Sequence, residues 1–199
     1  MKKLLSIAFI MLSVLAIQAQ GYKVGDTAFD FNLKNIDGKQ VSLADYKDAK
    51  GFVVIFTCNH CPYAVAYEDR IIEIDKKYKK MGFPVIAINP NDPVIVLGDS
   101  FDGMKKRAEE KGFTFPYLFD AKQEVYKNFG ATKTPHVYIL SKKGTYLTVE
   151  YIGTIDNNYK DESKVSTRYV EDAIKALMNN KKPTVTYTKA IGCSIKTKG

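Results

Sequence analysis

Between Phe29 and Leu33 the chain alternates apolar and polar residues, and it does so again from Gln40 to Leu43, with Asp37-Gly38 between the two runs. Period-two alternation on either side of an Asp-Gly turn predicts a β-hairpin. Phe52 to Phe56 is apolar at every position, and Pro84 to Asn89 is nearly so. Continuous apolar runs of this length are the mark of strands buried on both faces. Residues 62–80 place Val65, Ile71, Ile72 and Tyr78 among the apolar positions of a helix that ends in lysines. Ser100 caps a second predicted helix that runs to about Lys111, where Gly112 stops it. Glu124 to Phe129 is a short helical stretch ending at Gly130. His136 to Leu140 is a third predicted strand, and Lys142-Lys143-Gly144 turns the chain into a fourth at Leu147 to Tyr151. Ser166 to Met178 is a last helix, with Val170, Ile174 and Leu177 on one face. The order predicts an α/β fold with a central mixed sheet flanked by helices. From Asn180 the composition shifts to Lys, Thr and Pro, so residues 180–199 read as a C-terminal extension.

The first 19 residues carry a different pattern. Lys2 and Lys3 precede an uncharged run from Leu4 to Ile17, and Ile17-Gln18-Ala19 is an imperfect small-residue cleavage site. As a helix the run would span about 21 Å, short of a hydrocarbon core of roughly 30 Å. Residues 1–19 are therefore expected to be a signal peptide and residues 20–179 the folded domain. That implies export, to the periplasm if the host is Gram-negative, where disulfides persist. A hydrophobic share of 45% with 26% charged residues excludes a disordered chain and a polytopic membrane protein. The net charge of +8 does not point to nucleic acid. Arg70, Arg107 and Arg168 are the only arginines, and the lysines are scattered among acids as on a solvated surface. No membrane contact beyond the signal peptide is expected.

Chemistry enters directly after the first buried strand, at Thr57-Cys58-Asn59-His60-Cys61-Pro62. Cysteines three apart at a strand-to-helix junction can close a small disulfide. The positive end of the helix lowers the pKa of an exposed cysteine there, and the thiolate is the form that exchanges disulfides. Cys58, nearer the strand, is expected to be the nucleophile. Cys61 is expected to resolve the mixed disulfide, and Pro62 suits the first helical turn. A structural zinc would need two further ligands. A disulfide closing so short a loop would add little stability, and two free core cysteines are a further alternative. Cys193 is the odd cysteine. It is either an idle buried thiol or, if the tail folds back, a third redox thiol.

With Ile88-Asn89-Pro90-Asn91-Asp92, Phe115-Pro116-Tyr117-Leu118, Thr134-Pro135, Gly153-Thr154-Ile155-Asp156 and Ile191-Gly192-Cys193-Ser194, these motifs resemble the thioredoxin-like superfamily. The similarity is closest to its peroxiredoxin-like, AhpC/TSA-type branch of exported bacterial redoxins. The resemblance implies a thioredoxin-like fold, no cofactor, and a cis peptide at Thr134-Pro135. That bond would present the Thr134 backbone to an extended substrate strand. It implies a thiol–disulfide oxidoreductase acting on protein disulfides or dithiols with an unknown electron partner. A thiol-dependent peroxidase is one alternative. Another is a copper- or zinc-delivery protein using Cys58, Cys61 and His136, although His136 itself reads first as a satisfied strand histidine. Three departures stand out. Thr57 replaces the tryptophan many thioredoxins carry, and Phe52 stands where many have a buried acid, leaving the proton relay unassigned. Neither motif cysteine has the Pro-x-x-x-Thr/Ser-x-x-Cys surroundings of a peroxidatic cysteine. His60, beside the nucleophile, is expected to stabilise its thiolate. That would raise the potential above thioredoxin's roughly −270 mV.

Overall fold

The computed structural model describes residues 21–198. The expected signal peptide lies outside these residues. Among the described residues, no helix is long and apolar enough to cross a membrane.

Among the described residues, ten strands and four α-helices follow one another as β1 (Thr27–Ala28), β2 (Asn32–Asn35), β3 (Gln40–Ser42), β4 (Gly51–Phe56), α1 (Pro62–Tyr78), β5 (Val85–Asn89), α2 (Phe101–Lys111), β6 (Tyr117–Phe119), α3 (Val125–Phe129), β7 (Lys133–Thr134), β8 (His136–Lys143), β9 (Tyr146–Gly153), α4 (Tyr169–Met178) and β10 (Cys193–Ser194). Eight of the strands form one mixed sheet in the order β1-β9-β8-β4-β5-β6-β2-β3, and β10 pairs with β7 apart from it. β4, β5 and β6 are parallel neighbours, while β8 is antiparallel to β4 and to β9.

The apolar run in β4 is fully buried because helices cover both faces. Val53 and Ile55 point into one core with Ile71 of α1 and Val170 and Ile174 of α4. Phe52, Val54 and Phe56 point the other way, against Tyr126 and Phe129 of α3. Alternate residues of one strand thus serve two cores. The central strand cannot shift by one residue without exchanging both sets. The expected hairpin forms from β2 and β3, with Leu33 opposite Val41. Its first strand begins at Asn32 rather than Phe29, whose side chain is exposed. Ser100 caps α2 by accepting the Gly103 N–H, and Gly112 ends it in the left-handed conformation. The C-terminal extension folds back onto the domain. Tyr187 bridges to Ile152, and the Thr188 hydroxyl lies 2.6 Å from that of Tyr151.

Candidate active site

The parallel pair β4–β5 continues one residue beyond β4, where the Thr57 N–H donates to the Ile88 carbonyl at 2.9 Å. The chain then leaves the sheet at Cys58 and enters α1 through Cys61. Cys61 is the N-cap, and Pro62 occupies the first turn. No acid stands in that turn to neutralise the helix's positive end. From the other side comes Thr134, joined to Pro135 by the expected cis peptide bond. Its hydroxyl lies 3.1 Å from Cys58 Sγ, and its carbonyl oxygen lies 3.1 Å from Cys61 Sγ. Thr57, Cys58, Cys61 and Thr134 are all buried.

The disulfide joins Cys61 to Cys193, across 132 residues of chain and a Cα separation of 6.0 Å. Cys58 is the free thiol. This corrects the expected Cys58–Cys61 pairing. β10 carries Cys193 to a place directly opposite Thr134, and the Cys193 N–H points at Cys61 Sγ at 3.3 Å. The tail does fold back to the motif, and Cys193 is bonded rather than idle.

A second correction concerns Cys58. It was expected to be exposed with a lowered pKa, yet it is only 2% exposed. Burial raises its pKa, and the nearby Asp99 carboxylate raises it further. Hydrogen bonds from Thr134 and from the backbone of Cys61 and His60 oppose this without reversing it.

Asp99 is the residue that the sequence did not mark. It lies in a 3₁₀ turn, Leu97–Asp99, just before α2, and is fully buried. Oδ1 accepts the Asn59 N–H at 2.7 Å. Oδ2 accepts from His60 Nδ1 at 2.6 Å and from Asn91 Nδ2 at 2.7 Å. Asn59 is also held by the Gly98 carbonyl and the Tyr117 hydroxyl. Both residues between the motif cysteines are therefore fastened to this turn. His60 Nδ1 donates to Asp99 rather than to the Cys58 sulfur. Ligating atoms of Cys58, His60 and Asp99 lie within 4.8 Å of one another, but both Asp99 oxygens are already committed to N–H donors. His136 does not belong to that group. Its Nδ1 accepts the Thr132 N–H at 3.3 Å, and burial lowers its pKa to about 4. It is the satisfied strand histidine, and the donor set Cys58, Cys61 and His136 is not assembled.

A family model described as the AhpC/TSA family matches residues 24–150. Thiol-disulfide oxidoreductase ResA of Geobacillus thermodenitrificans is 30% identical over 124 residues, which is 61% of this chain. The match spans 65% of that relative's own length. An uncharacterized conserved protein from Geobacillus kaustophilus superposes with a TM-score of 0.82 at 35% identity, covering 88% of this chain and 93% of that one. A hypothetical protein from Sinorhizobium meliloti 1021 also gives a TM-score of 0.82, at 29% identity, covering 90% of this chain and 97% of that one.

Proposed function

The chain belongs to the AhpC/TSA family, and from that premise we propose that it is a thiol–disulfide oxidoreductase acting on protein disulfides or dithiols. The observation that carries this reading is the gathering of all three cysteines against Thr134, two of them bonded and one free. Similarity to relatives named thiol-disulfide oxidoreductase ResA supports it.

This reading reverses the expected division of labour. Cys61 carries the partner sulfur, and Cys58 is a buried thiol in the same cluster. In the exchange, Cys58 gives up its proton and its sulfur attacks Cys61 Sγ. The bond from Cys61 to its partner breaks, a Cys58–Cys61 bond forms, and the partner leaves as a thiolate that takes up the proton. One disulfide replaces another with no net oxidation. Because burial and the Asp99 charge raise the pKa of Cys58, it must give up its proton before its sulfur attacks.

A peroxidase would need an accessible, low-pKa thiolate, which Cys58, buried and with a raised pKa, does not offer. Export is part of the same reading. Lys2, Lys3 and the apolar run from Leu4 to Ile17 supply a signal peptide, and a Cys61–Cys193 bond suits an oxidising compartment such as the periplasm. N-terminal sequencing of secreted material should begin at Gln20.

Trapping tests the assignment. Cys58→Ser should accumulate mixed disulfides with substrate proteins on Cys61, whereas Cys61→Ser should accumulate few. Peptide mapping that finds the trapped partners on Cys58 of the Cys61→Ser variant would reverse the roles.

A further inference from the structure

The strand edge beside Thr134 is already occupied. Cys193 and Ser194 run antiparallel to Thr134 and Lys133, and the Ile195 N–H reaches the Thr132 carbonyl at 3.4 Å. Further along, the Lys196 N–H donates to Asn91 Oδ1 at 2.8 Å. The Lys196 carbonyl accepts from the Asp92 N–H and from Gln123 Nε2, both at 2.8 Å. Gln123 Oε1 accepts the Lys198 N–H at 2.7 Å. Gln123 itself has φ +58°, a left-handed conformation that side-chain-bearing residues seldom adopt. Its buried amide also holds the Pro90 carbonyl.

All of these bonds reach backbone atoms of the tail, so they read shape and not sequence. A different extended segment could make them equally well. Side chains add to them, with Ile195 packed against the core that holds Phe52 and Phe56, Ser194 Oγ accepting from Lys133 Nζ at 3.1 Å and Lys198 Nζ donating to the Ala121 carbonyl at 2.9 Å, but two tail positions are the most tightly fixed. One is Cys193. The other is Gly192, where an added Cβ would stand 2.2 Å from the Thr134 carbonyl oxygen and 2.7 Å from its carbon. Both atoms are backbone and cannot swing aside, so only glycine fits.

We propose that residues 191–196 are a tethered occupant of the substrate site, and that the site accepts extended protein segments whose reactive cysteine is preceded by glycine. This rests on the reading as a thiol–disulfide oxidoreductase. In the swap, the substrate's thiolate attacks Cys61 Sγ. The Cys61–Cys193 bond breaks, a bond between Cys61 and the substrate cysteine forms, and Cys193 departs as a thiolate that takes up the proton lost by the substrate thiol. The tail strand leaves, and the substrate strand takes over its backbone partners.

The test uses full-length Cys58→Ser protein in its Cys61–Cys193 form, so that Cys58 cannot resolve adducts and the return of Cys193 acts alike on every probe. Two reduced peptides serve as probes: Ala-Ile-Gly-Cys-Ser-Ile-Lys, which copies residues 190–196, and the same peptide with valine in place of glycine. Glutathione is the control thiol. Mass spectrometry follows adducts on Cys61. The glycine peptide should react faster than the valine peptide by about ten-fold or more, as expected when a methyl-bearing residue is forced against fixed backbone. Equal rates for the two peptides, with glutathione also reacting, overturn the tethered-occupant inference and leave the oxidoreductase reading intact. No adduct with any of the three thiols defeats both. A second variant works from the tail side. Gly192→Val, checked for folding by circular dichroism, should fail to keep the Cys61–Cys193 bond in mild reductant that spares the parent. If it keeps that bond equally well, glycine is not required there and the proposal falls.

Discussion

Cys58 stands between opposed influences. Thr134 and the N–H groups of His60 and Cys61 favour its thiolate, whereas burial and the Asp99 charge disfavour it, and the second pair prevails. Replacing Asp99 by Asn removes a negative charge while keeping a side chain of the same shape, so the pKa of Cys58 should fall. Burial, the larger cause, remains. The pH dependence of iodoacetamide labelling measures this directly, because Cys58 is the free thiol when Cys61 and Cys193 are bonded. Its midpoint should move to lower pH in Asp99→Asn. An unmoved or higher midpoint would show that Asp99 does not govern the thiol. The cysteines were legible in the sequence because the chain has only three and two of them open a helix. Thr134 and Pro135 were legible only through the family resemblance. Asp99 was not legible at all. It lies 38 residues beyond Cys61 and read merely as the neighbour of a cap, because its role arises from the loop that returns β5 to α2 beside the motif.

Elements with enough positions to display a period were visible in the pattern: β4, β5, β8, β9 and all four helices. β1, β6, β7 and β10 have two or three residues each, too few to show alternation. Two of these short strands, β7 and β10, frame the sulfurs. What fastens the longer elements around them was also hidden, since it depends on distant pairs. Arg70 of α1 reaches the loop after β9, donating to Asp156 Oδ2 at 2.6 Å, to the Asn158 carbonyl at 2.8 Å and to the Tyr159 carbonyl at 2.6 Å. Both side chains of this ion pair are buried. Removing one partner of such a pair strands a charge, which typically costs about 3–5 kcal/mol. Arg70→Met should therefore lower stability by roughly that amount in urea unfolding. Arg70→Met with Asp156→Asn should recover part of the loss, because no charge is then left unpaired. A single-variant loss below about 1 kcal/mol, the range of an exposed pair, would mean that this contact does not hold α1.

On the scale of the whole molecule, the tail read from composition as an appendage is instead joined to the fold. Its hydrogen bonds run largely through backbone groups, which leave no trace in a side-chain pattern. Its anchor strand adjoins Pro135 and, next in sequence, His136, and that histidine sets an acid limit on the stability of the entire domain. His136 opens β8 opposite Phe56. The Nδ1 atom accepts a backbone N–H, and burial pulls the pKa from 6.5 down to about 4. In the unfolded chain the ring regains an ordinary value near 6.5. Between these two values the unfolded state binds more protons than the folded one, so acid favours unfolding. The contribution is fully present above about pH 6.5 and is lost progressively as pH falls toward 4. The loss reaches about 3 kcal/mol at the low end, a large share of the 5–15 kcal/mol typical of a domain. Asp120, whose pKa burial raises, works in the opposite sense, so the wild-type curve alone does not isolate the histidine. His136→Asn does. It keeps an acceptor for the Thr132 N–H and has no proton to take up, while every other titrating group is common to both proteins. Urea unfolding at intervals from pH 7 to pH 4 should show the wild type losing stability faster than His136→Asn, with the gap between them narrowing or inverting toward acid. Parallel curves over that range would show that the buried ring does not couple protonation to unfolding.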